Sequence, residues 1–169
     1  MTDREERERA AYRVARLATD RGLSVAVAES LTSGQIAAAI GAAPEASEWF
    51  LGGVVAYTYK VKQRVLDVPP GPVVTADTAH RMALGVRRLT GADVIVAVTG
   101  AGGPDGQDGE PPGTVFIGTR SEIRAHVTRH QFSGEPAIVL AKTVQAALEA
   151  LADALRDATE APPNRTAGS

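Results

Sequence analysis

The stretch "SVAVAESLTSGQIAAAI", residues 24–40, changes character halfway along its length. Its first part alternates valine and alanine as a buried strand does, and its last part is a run of small apolar residues typical of a closely packed helix. Three hydroxyl side chains and a glycine, in the letters "SLTSG", lie between the two parts. A strand that turns directly into a helix is the repeating unit of α/β proteins. We therefore predict a strand at residues 24–28 and a helix at residues 34–40.

The same alternation continues on both sides of this stretch. An amphipathic helix is predicted at residues 4–21, and the apolar run "ADVIVAVTG", residues 92–100, predicts a central strand covered on both faces. Further strands are predicted at residues 53–57, 113–120 and 124–132, and further helices at residues 60–66, 78–89 (N-cap Thr75 or Asp77) and 135–158. This order predicts a three-layer α/β/α sandwich with a mixed, mostly parallel sheet. We expect one domain over residues 1–158 and a disordered tail over residues 159–169.

Composition argues against several classes of protein. The 169 residues include no cysteine, which excludes disulfides, thiolate metal sites and cysteine nucleophiles. A net charge of −2 and the presence of one Trp, three Tyr and three Phe argue against a nucleic-acid partner. The three histidines lie in different predicted elements without a carboxylate pattern of metal-ligand type. We expect no metal site and no cofactor.

The apolar segments are too short to span a membrane. Runs such as residues 94–98 contain five apolar residues, whereas a spanning helix needs about 20. The first 22 residues mix acids and arginines and lack the apolar segment of a signal peptide. We therefore expect no membrane partner, no signal peptide and a cytoplasmic location.

The turn "ESLTSG" has the composition of a site at the carboxyl edge of a sheet, where α/β proteins bind ligands. Ser30 is a candidate nucleophile. The helix start that includes Thr32, Ser33 and Gly34 offers N–H groups that can bind a phosphate or an oxyanion. The alternative is that one of the hydroxyls only caps the helix.

A nucleophilic serine needs a base, and the sequence offers no histidine at a position that would complete a Ser-His-Asp triad. The segment "GGVVAYTYKVKQRVL", residues 52–66, offers Lys60 and Lys62, either of which can serve once burial or neighbouring cations lower its pKa. Tyr57 is a candidate for relaying a proton or donating a hydrogen bond. The alternative is that both lysines belong to a solvated helix face.

The third candidate is the glycine-rich segment "TGAGGPDGQDG", residues 99–109. Backbone N–H groups near Thr99, Gly100, Gly102 and Gly103 can form a nest for an anion. The alternative is a mobile surface loop.

These pieces together resemble a known family. "AESLTSG", "GGVVAYTYKVKQRVLDV", "ADVIVAVTGAGGPDG", "PPGTVFIG" and "FSGE" occur in the order and spacing of the CinA C-terminal domain, whose stand-alone form is the nicotinamide-nucleotide amidase. The resemblance covers about residues 5–155. It implies an α/β/α fold, no metal, and a homo-oligomer, dimer or higher, for which Trp49 and Phe50 are candidate interface anchors.

The resemblance also implies an activity and its residues. The reaction is hydrolysis of nicotinamide mononucleotide to nicotinate mononucleotide and ammonia, a step of NAD salvage. Ser30 takes the place of the family's nucleophile, Tyr57 that of its tyrosine, and Lys62, not Lys60, that of its lysine. The glycine loop and the turn after Ser30 are then expected to form the oxyanion hole and to enclose the nucleotide. A non-catalytic nucleotide-binding or regulatory relative, or an amidase for another substrate, are the alternatives.

Two differences from the family concern the candidate site directly. Ser33 replaces the first of two glycines, which is tolerated unless φ there is positive. Residues 59–61 read Tyr-Lys-Val where the family usually has Asn-Glu-Ala, so that a cation replaces a carboxylate beside Lys62.

A third difference concerns the substrate. Pro136 and Leu140 stand where the family usually has two arginines after "FSG" and an acid. Arginines at a helix start are natural phosphate ligands. Their absence predicts weaker binding of a mononucleotide, unless Lys142 or Arg129 replaces them.

Overall fold

The computed structural model of the protein describes residues 1–158. In chain order the elements are α1 (Asp3–Arg21), β1 (Val25–Glu29), α2 (Gln35–Gly41), α3 (Ala46–Trp49), β2 (Phe50–Val55), α4 (Tyr59–Leu66), α5 (Ala76–Thr90), β3 (Val94–Gly100), β4 (Thr114–Arg120), β5 (Ala125–Gln131) and α6 (Pro136–Asp157). The tail predicted at residues 159–169 lies outside the described residues. Within residues 1–158, no helix combines the length and the apolar character needed to cross a bilayer.

The five strands of the described chain form one sheet in the order β2-β1-β3-β4-β5. β1 pairs in parallel with β2 and β3, whereas β3 with β4 and β4 with β5 pair antiparallel. Four of these five strands therefore run in one direction and β4 runs against them. The mixed, mostly parallel sheet is confirmed.

Side chains of the central strands point alternately into two apolar cores. Val25 and Val27 of β1 belong to the core under α1, α2, α3 and α6, whereas Ala26 and Ala28 belong to the core under α4 and α5. β3 divides in the same way between the two cores. Because helices cover both faces of the sheet, the predicted three-layer sandwich is also confirmed.

β2 lies earlier in the chain than predicted. The strand expected at residues 53–57 is instead Phe50–Val55. Val25 of β1 pairs with Phe50 and the next residue, Ala26, pairs with Gly52, so Leu51 is an extra residue in β2. Such a bulge breaks the two-residue alternation from which a strand is recognised in a sequence. The first half of β2 could therefore not be recognised from the sequence.

Other observed boundaries differ from the predicted ones by one or a few residues. β1 includes Glu29, one residue beyond the predicted end. Helix α5 begins at Ala76, and Thr75 caps it, since Thr75 Oγ1 accepts the N–H of Thr78 at 3.0 Å. Asp77 is therefore not the cap.

Trp49 lies in the core and not at the surface. Its side chain is 3% exposed, and its Nε1 donates to the carbonyl oxygen of Pro44 at 3.1 Å. The expectation that Trp49 anchors an interface between subunits is wrong for this fold, because a buried ring is not available to a second chain. Phe50, next to it, is half-buried against the same core.

Candidate active site

The three segments predicted to carry chemistry meet at one edge of the sheet. Ser30 follows β1, Tyr57 precedes α4 after β2, and the glycine-rich loop follows β3. Parallel neighbouring strands present their carboxyl ends at the same edge. Ser30 and Lys62, 32 residues apart in the chain, come into direct contact there.

Glu29 holds the turn after β1 in place. Its carboxylate is fully buried and accepts the backbone N–H groups of Ile36 at 3.0 Å and Ala37 at 2.9 Å, in the first turn of α2. A carboxylate there satisfies N–H groups that the helix leaves unpaired and complements the positive end of its dipole. The alternative that a hydroxyl caps α2 is therefore wrong. These two N–H groups are also not available to a ligand.

Ser33 has a φ of 51°, in the left-handed region. Its hydroxyl donates to the carbonyl oxygen of Leu31 at 3.4 Å, a long contact. A residue with a Cβ atom in this conformation costs about 1–2 kcal/mol relative to the right-handed one. A glycine at this position would avoid that cost, so Ser33 strains the turn beside Ser30.

The strain at Ser33 leads to a prediction about stability. Ser33→Gly is expected to raise the free energy of unfolding by up to about 1 kcal/mol, because the removed Cβ clash outweighs the greater freedom of glycine in the unfolded chain. Ser33→Ala keeps the Cβ atom and is expected to give no gain. Urea unfolding of the three proteins checks this, and equal stability of both variants would contradict it.

Lys62 is 2% exposed and lies in the first turns of α4. Thr58 caps that helix by accepting the N–H of Val61 at 3.3 Å. Side chains of a helix lean toward its N-terminus, so Lys62 reaches back to the sheet edge. Its Nζ lies 2.7 Å from Ser30 Oγ, 2.8 Å from the carbonyl oxygen of Ala56 and 3.2 Å from that of Tyr57.

Burial lowers the pKa of Lys62 from 10.5 to about 8, against an opposing effect of the negative charge of Asp108. At pH 7 a group with this pKa is neutral in about one molecule in ten, compared with about three in ten thousand for an ordinary lysine. The fold therefore increases the fraction of Lys62 that can accept a proton.

The contacts of Lys62 also determine where it can accept that proton. The carbonyl oxygens of Ala56 and Tyr57 can only accept hydrogen bonds, so they hold two N–H bonds of the amine. The remaining direction points at Ser30 Oγ. In the neutral amine this direction carries the lone pair, so Ser30 can donate its hydroxyl proton to Lys62.

Tyr57 and Lys60 are exposed, whereas Lys62 is buried. The side chain of Tyr57 is 65% exposed, and the contact of this residue with Lys62 is made by its main-chain oxygen. Because Ser30 and Lys62 are in contact, proton transfer between them needs no relay. A catalytic role of the Tyr57 hydroxyl stays a prediction. Lys60 is exposed, so of the two lysines only Lys62 is placed to act on Ser30.

A cavity of about 340 Å³ opens above Ser30 and Lys62. The predicted site residues in its wall are Ser30, Tyr57, Lys62, Thr99, Gly100, Gly102 and Gly103. Thr32, Ser33 and Gly34, predicted from the same turn as Ser30, are not part of this wall. Thr32 is fully buried, and its hydroxyl has no hydrogen-bond partner among residues 1–158.

The glycine-rich loop is built around a small hairpin. Gln107 and Glu110 exchange backbone hydrogen bonds of 3.0 and 2.9 Å. Between them Asp108 and Gly109 have φ values of 55° and 79°, as a type I′ turn requires. The Asp-Gly pair is a strong hairpin signal in a sequence, and from it the turn in this segment could have been predicted.

Charge is sparse in the cavity wall. Within the described residues its only cationic side chain is Lys62 and its only acidic one is Asp105, while Pro136 and Leu140 add an apolar part. The suggested replacements for the missing arginines lie elsewhere. The Nζ of Lys142 donates to the carbonyl oxygen of Ser133, and Arg129 pairs with Glu110 at 2.9 Å. Among residues 1–158, no group of three or more His, Cys, Asp or Glu side chains is arranged to hold a metal ion.

Comparison with known proteins places the chain in a family. A model of the CinA C-terminal domain matches residues 7–155. A putative competence-damage inducible protein of Desulforamulus reducens is 41% identical over 150 residues, which cover 86% of this chain and 36% of the relative. A CinA-like protein of Thermotoga maritima is 38% identical over 145 residues, which cover 82% and 35%. The chain spans about a third of the length of these curated relatives.

Two solved structures match the fold of this chain over nearly their whole length. A competence-damaged protein (CinA) superfamily protein of Klebsiella pneumoniae superposes with a TM-score of 0.85 at 32% identity, covering 89% of this chain and 98% of that one. A superfamily protein of Escherichia coli gives a TM-score of 0.85 at 30% identity, covering 90% and 92%. From the matched sequence, the relatives and the shared fold together, this chain belongs to the CinA C-terminal domain family.

Proposed function

We propose that this protein is an amidohydrolase in which Ser30 is the nucleophile and Lys62 the general base. The observation that carries the proposal is the 2.7 Å contact between Ser30 Oγ and the buried Nζ of Lys62. A serine hydroxyl is a weak nucleophile until a base removes its proton, and a desolvated lysine is such a base. The lowered pKa of Lys62, about 8, supports this role.

In the first half of the proposed reaction, Ser30 is acylated. Neutral Lys62 takes the hydroxyl proton while Ser30 Oγ attacks the carbonyl carbon of the carboxamide. The resulting ammonium of Lys62 then returns the proton to the amide nitrogen. The carbon–nitrogen bond breaks, ammonia leaves, and an ester joins the acyl group to Ser30.

In the second half, water releases the product. Lys62, neutral again after ammonia has left, takes a proton from a water molecule that attacks the ester carbon. The proton passes to Ser30 Oγ as the ester bond breaks. The product is a carboxylic acid, which releases its remaining proton to the solvent and becomes a carboxylate, and the enzyme returns to its starting state without a cofactor.

The negative charge that develops on the carbonyl oxygen needs hydrogen-bond donors. We assign this role to backbone N–H groups of Gly102 and Gly103. Both residues line the cavity, and their N–H groups make no hydrogen bond within residues 1–158. The exposed hydroxyl of Tyr57, also in the cavity wall, is the further candidate donor.

The first substrate to test is nicotinamide mononucleotide, on the strength of the family resemblance. The assay is release of ammonia from this compound by the purified protein, with the Ser30→Ala variant beside it. Release that depends on Ser30 would support the proposal. Equal release by the two proteins would overturn it.

The cavity wall favours a second candidate, an amidase for a substrate without a phosphate group. Pro136 and Leu140 lie in the wall at positions where they provide no positive charge. Lys62, the cation of the wall, is already bonded to Ser30 and two carbonyl oxygens. A phosphate in this cavity would therefore depend on uncharged donors, such as backbone N–H groups and the side chains of Tyr57 and Gln107.

A double substitution separates the two candidates. Pro136→Arg with Leu140→Arg is expected to raise kcat/KM for nicotinamide mononucleotide about tenfold or more, since a hydrogen bond to a charged group contributes about 1.5–3 kcal/mol. For nicotinamide riboside, which lacks the phosphate, no such gain is expected. Pro136→Gln with Leu140→Gln is the uncharged control. Equal gains for both substrates would show that the arginines do not act on the phosphate.

We extend the proposal, from the resemblance, to a homo-oligomeric assembly and a cytoplasmic role in NAD salvage. Sedimentation velocity of the purified protein tests the assembly. A monomer at micromolar concentration would remove that part of the proposal and leave the chemistry of Ser30 and Lys62 unchanged.

A further inference from the structure

Asp108, at the tip of the hairpin in the glycine-rich loop, ties that loop to a distant part of the chain. Its Oδ2 accepts the backbone N–H groups of Val73 at 2.7 Å and Val74 at 3.0 Å, 35 and 34 residues away. Hydrogen bonds to an ionised acceptor are stronger than neutral ones. The loop tip and residues 72–74 are therefore held together by one carboxylate.

This tie forms part of the cavity wall. Val73 lines the cavity from one side of the tie, and Gly106 and Gln107 line it from the other. The carbonyl oxygen of Val73 also accepts the buried hydroxyl of Thr99, at 2.8 Å, at the end of β3. The segment around Val73 is thus bonded to the sheet by one main-chain atom and to the loop by another.

The turn itself does not require a carboxylate at Asp108. The first central position of a type I′ turn needs a positive φ, which asparagine and glycine adopt at least as readily. The charge of Asp108 is therefore available for a role beyond the turn. This charge raises the pKa of the buried Lys62, whereas burial lowers it, and such an influence on Lys62 is a role beyond the turn.

Several ionisable side chains belong to the elements around Lys62. Its own helix carries Tyr59, Lys60 and Arg64, the strand ends contribute Glu29 and Tyr57, α5 packs against α4 with Arg88 paired to Asp67, and the loop brings Asp105 and Asp108. The carboxylate of Glu29 is engaged by the start of α2. Among these groups, Asp108 is the one whose charge raises the pKa of Lys62, against the effect of burial.

We propose that Asp108 is a positioning residue of this site, whose carboxylate holds the loop tip against residues 72–74 and so fixes the part of the cavity wall formed by Val73, Gly106 and Gln107. Its consequence for catalysis rests on the proposed function, whereas the tie and the charge are properties of the folded protein. The negative charge of Asp108 also raises the pKa of Lys62, against the larger lowering effect of burial. It contacts neither Ser30 nor the reacting atoms.

The test is a titration of Lys62 by NMR in the protein and in Asp108→Asn. The chain has three lysines, Lys60, Lys62 and Lys142, so single substitutions assign their side-chain signals. Asparagine keeps the size and a carbonyl acceptor but not the charge. The midpoint of Lys62 is expected to fall by about one pH unit, the lower end of the effect of an opposite charge nearby.

Glu110→Gln is the matched control. Glu110 lies two residues further along the same loop and pairs with Arg129 at the surface, outside the cavity wall. It removes the same charge from the same hairpin, and the Lys62 midpoint is expected to stay in place. A midpoint that is unchanged in Asp108→Asn, or that rises because water enters the cavity, would overturn the assignment of the charge.

The tie has its own readout, hydrogen exchange at the amides of Val73 and Val74. Asp108→Ala removes the acceptor and is expected to speed exchange there about tenfold or more. Should the variants not fold, the unaltered protein still decides, since the amides of Val73 and Val74 must be protected from exchange although they lie outside the helices and strands. Exchange that is unchanged in Asp108→Ala, or that is unprotected in the unaltered protein, would overturn the tie.

Activity is measured last, so that the two proposals fail separately. If the protein hydrolyses an amide, the midpoint of kcat/KM against pH is expected to move with the NMR midpoint in Asp108→Asn. If it hydrolyses none, the proposed function fails while the NMR result still decides the role of Asp108. An NMR shift without the matching kinetic shift would overturn the link between Asp108 and catalysis.

Discussion

Ser30→Ala is expected to lower kcat for amide hydrolysis at least about ten-thousandfold, because the variant has no oxygen that can form the acyl-enzyme. The fold is expected to survive the change. Lys62 keeps its bonds to the carbonyl oxygens of Ala56 and Tyr57, and the turn remains held by Glu29. The measurement is ammonia release at saturating substrate, with circular dichroism to confirm that the variant is folded.

The control for Ser30→Ala is Ser47→Ala, an exposed serine of α3 outside the cavity wall, which is expected to leave the rate unchanged. A rate in Ser30→Ala equal to that of the unaltered protein would rule out Ser30 as the nucleophile. Binding of a nucleotide without turnover, measured as a rise in thermal stability in both proteins, would instead favour the non-catalytic alternative.

The second large effect is expected at Lys62. Lys62→Met removes the base and is expected to lower kcat/KM by about 10²–10⁴, the usual contribution of general base catalysis. Lys62→Arg is expected to be as inactive, because a guanidinium stays protonated. Lys60→Met is the matched control, since it removes an exposed lysine of the same helix and is expected to keep the activity.

The pH profile shows whether Lys62 acts as a base or as an acid. The neutral amine is the active form, so kcat/KM is expected to rise about tenfold per pH unit below a midpoint near 8 and to level off above it. The remaining rate of Lys62→Met is expected to lack this midpoint. Activity that falls as the pH rises through 8 would mean that Lys62 acts as an acid in its protonated form.

Much of the fold was predictable because it depends on short-range patterns. The alternation in residues 24–28 and the apolar run of residues 92–100 indicated buried strands, and the helices between them indicated a layered α/β protein. The strand order then places the turn at Ser30 at the carboxyl edge of the sheet. The position of the bulge at Leu51 was not predictable, because it depends on how β2 pairs with a strand 25 residues away.

The candidate site divides in the same way. From the sequence alone Ser30 was a candidate nucleophile, both lysines of α4 were candidate bases, and the resemblance selected Lys62. Tertiary structure showed which lysine touches Ser30, that Glu29 caps α2, and that Asp108 bonds to Val73 in the cavity wall. Local sequence determines which element a residue joins, since that depends on its chain neighbours. Contact, burial and pKa depend on groups that only the folded chain brings together.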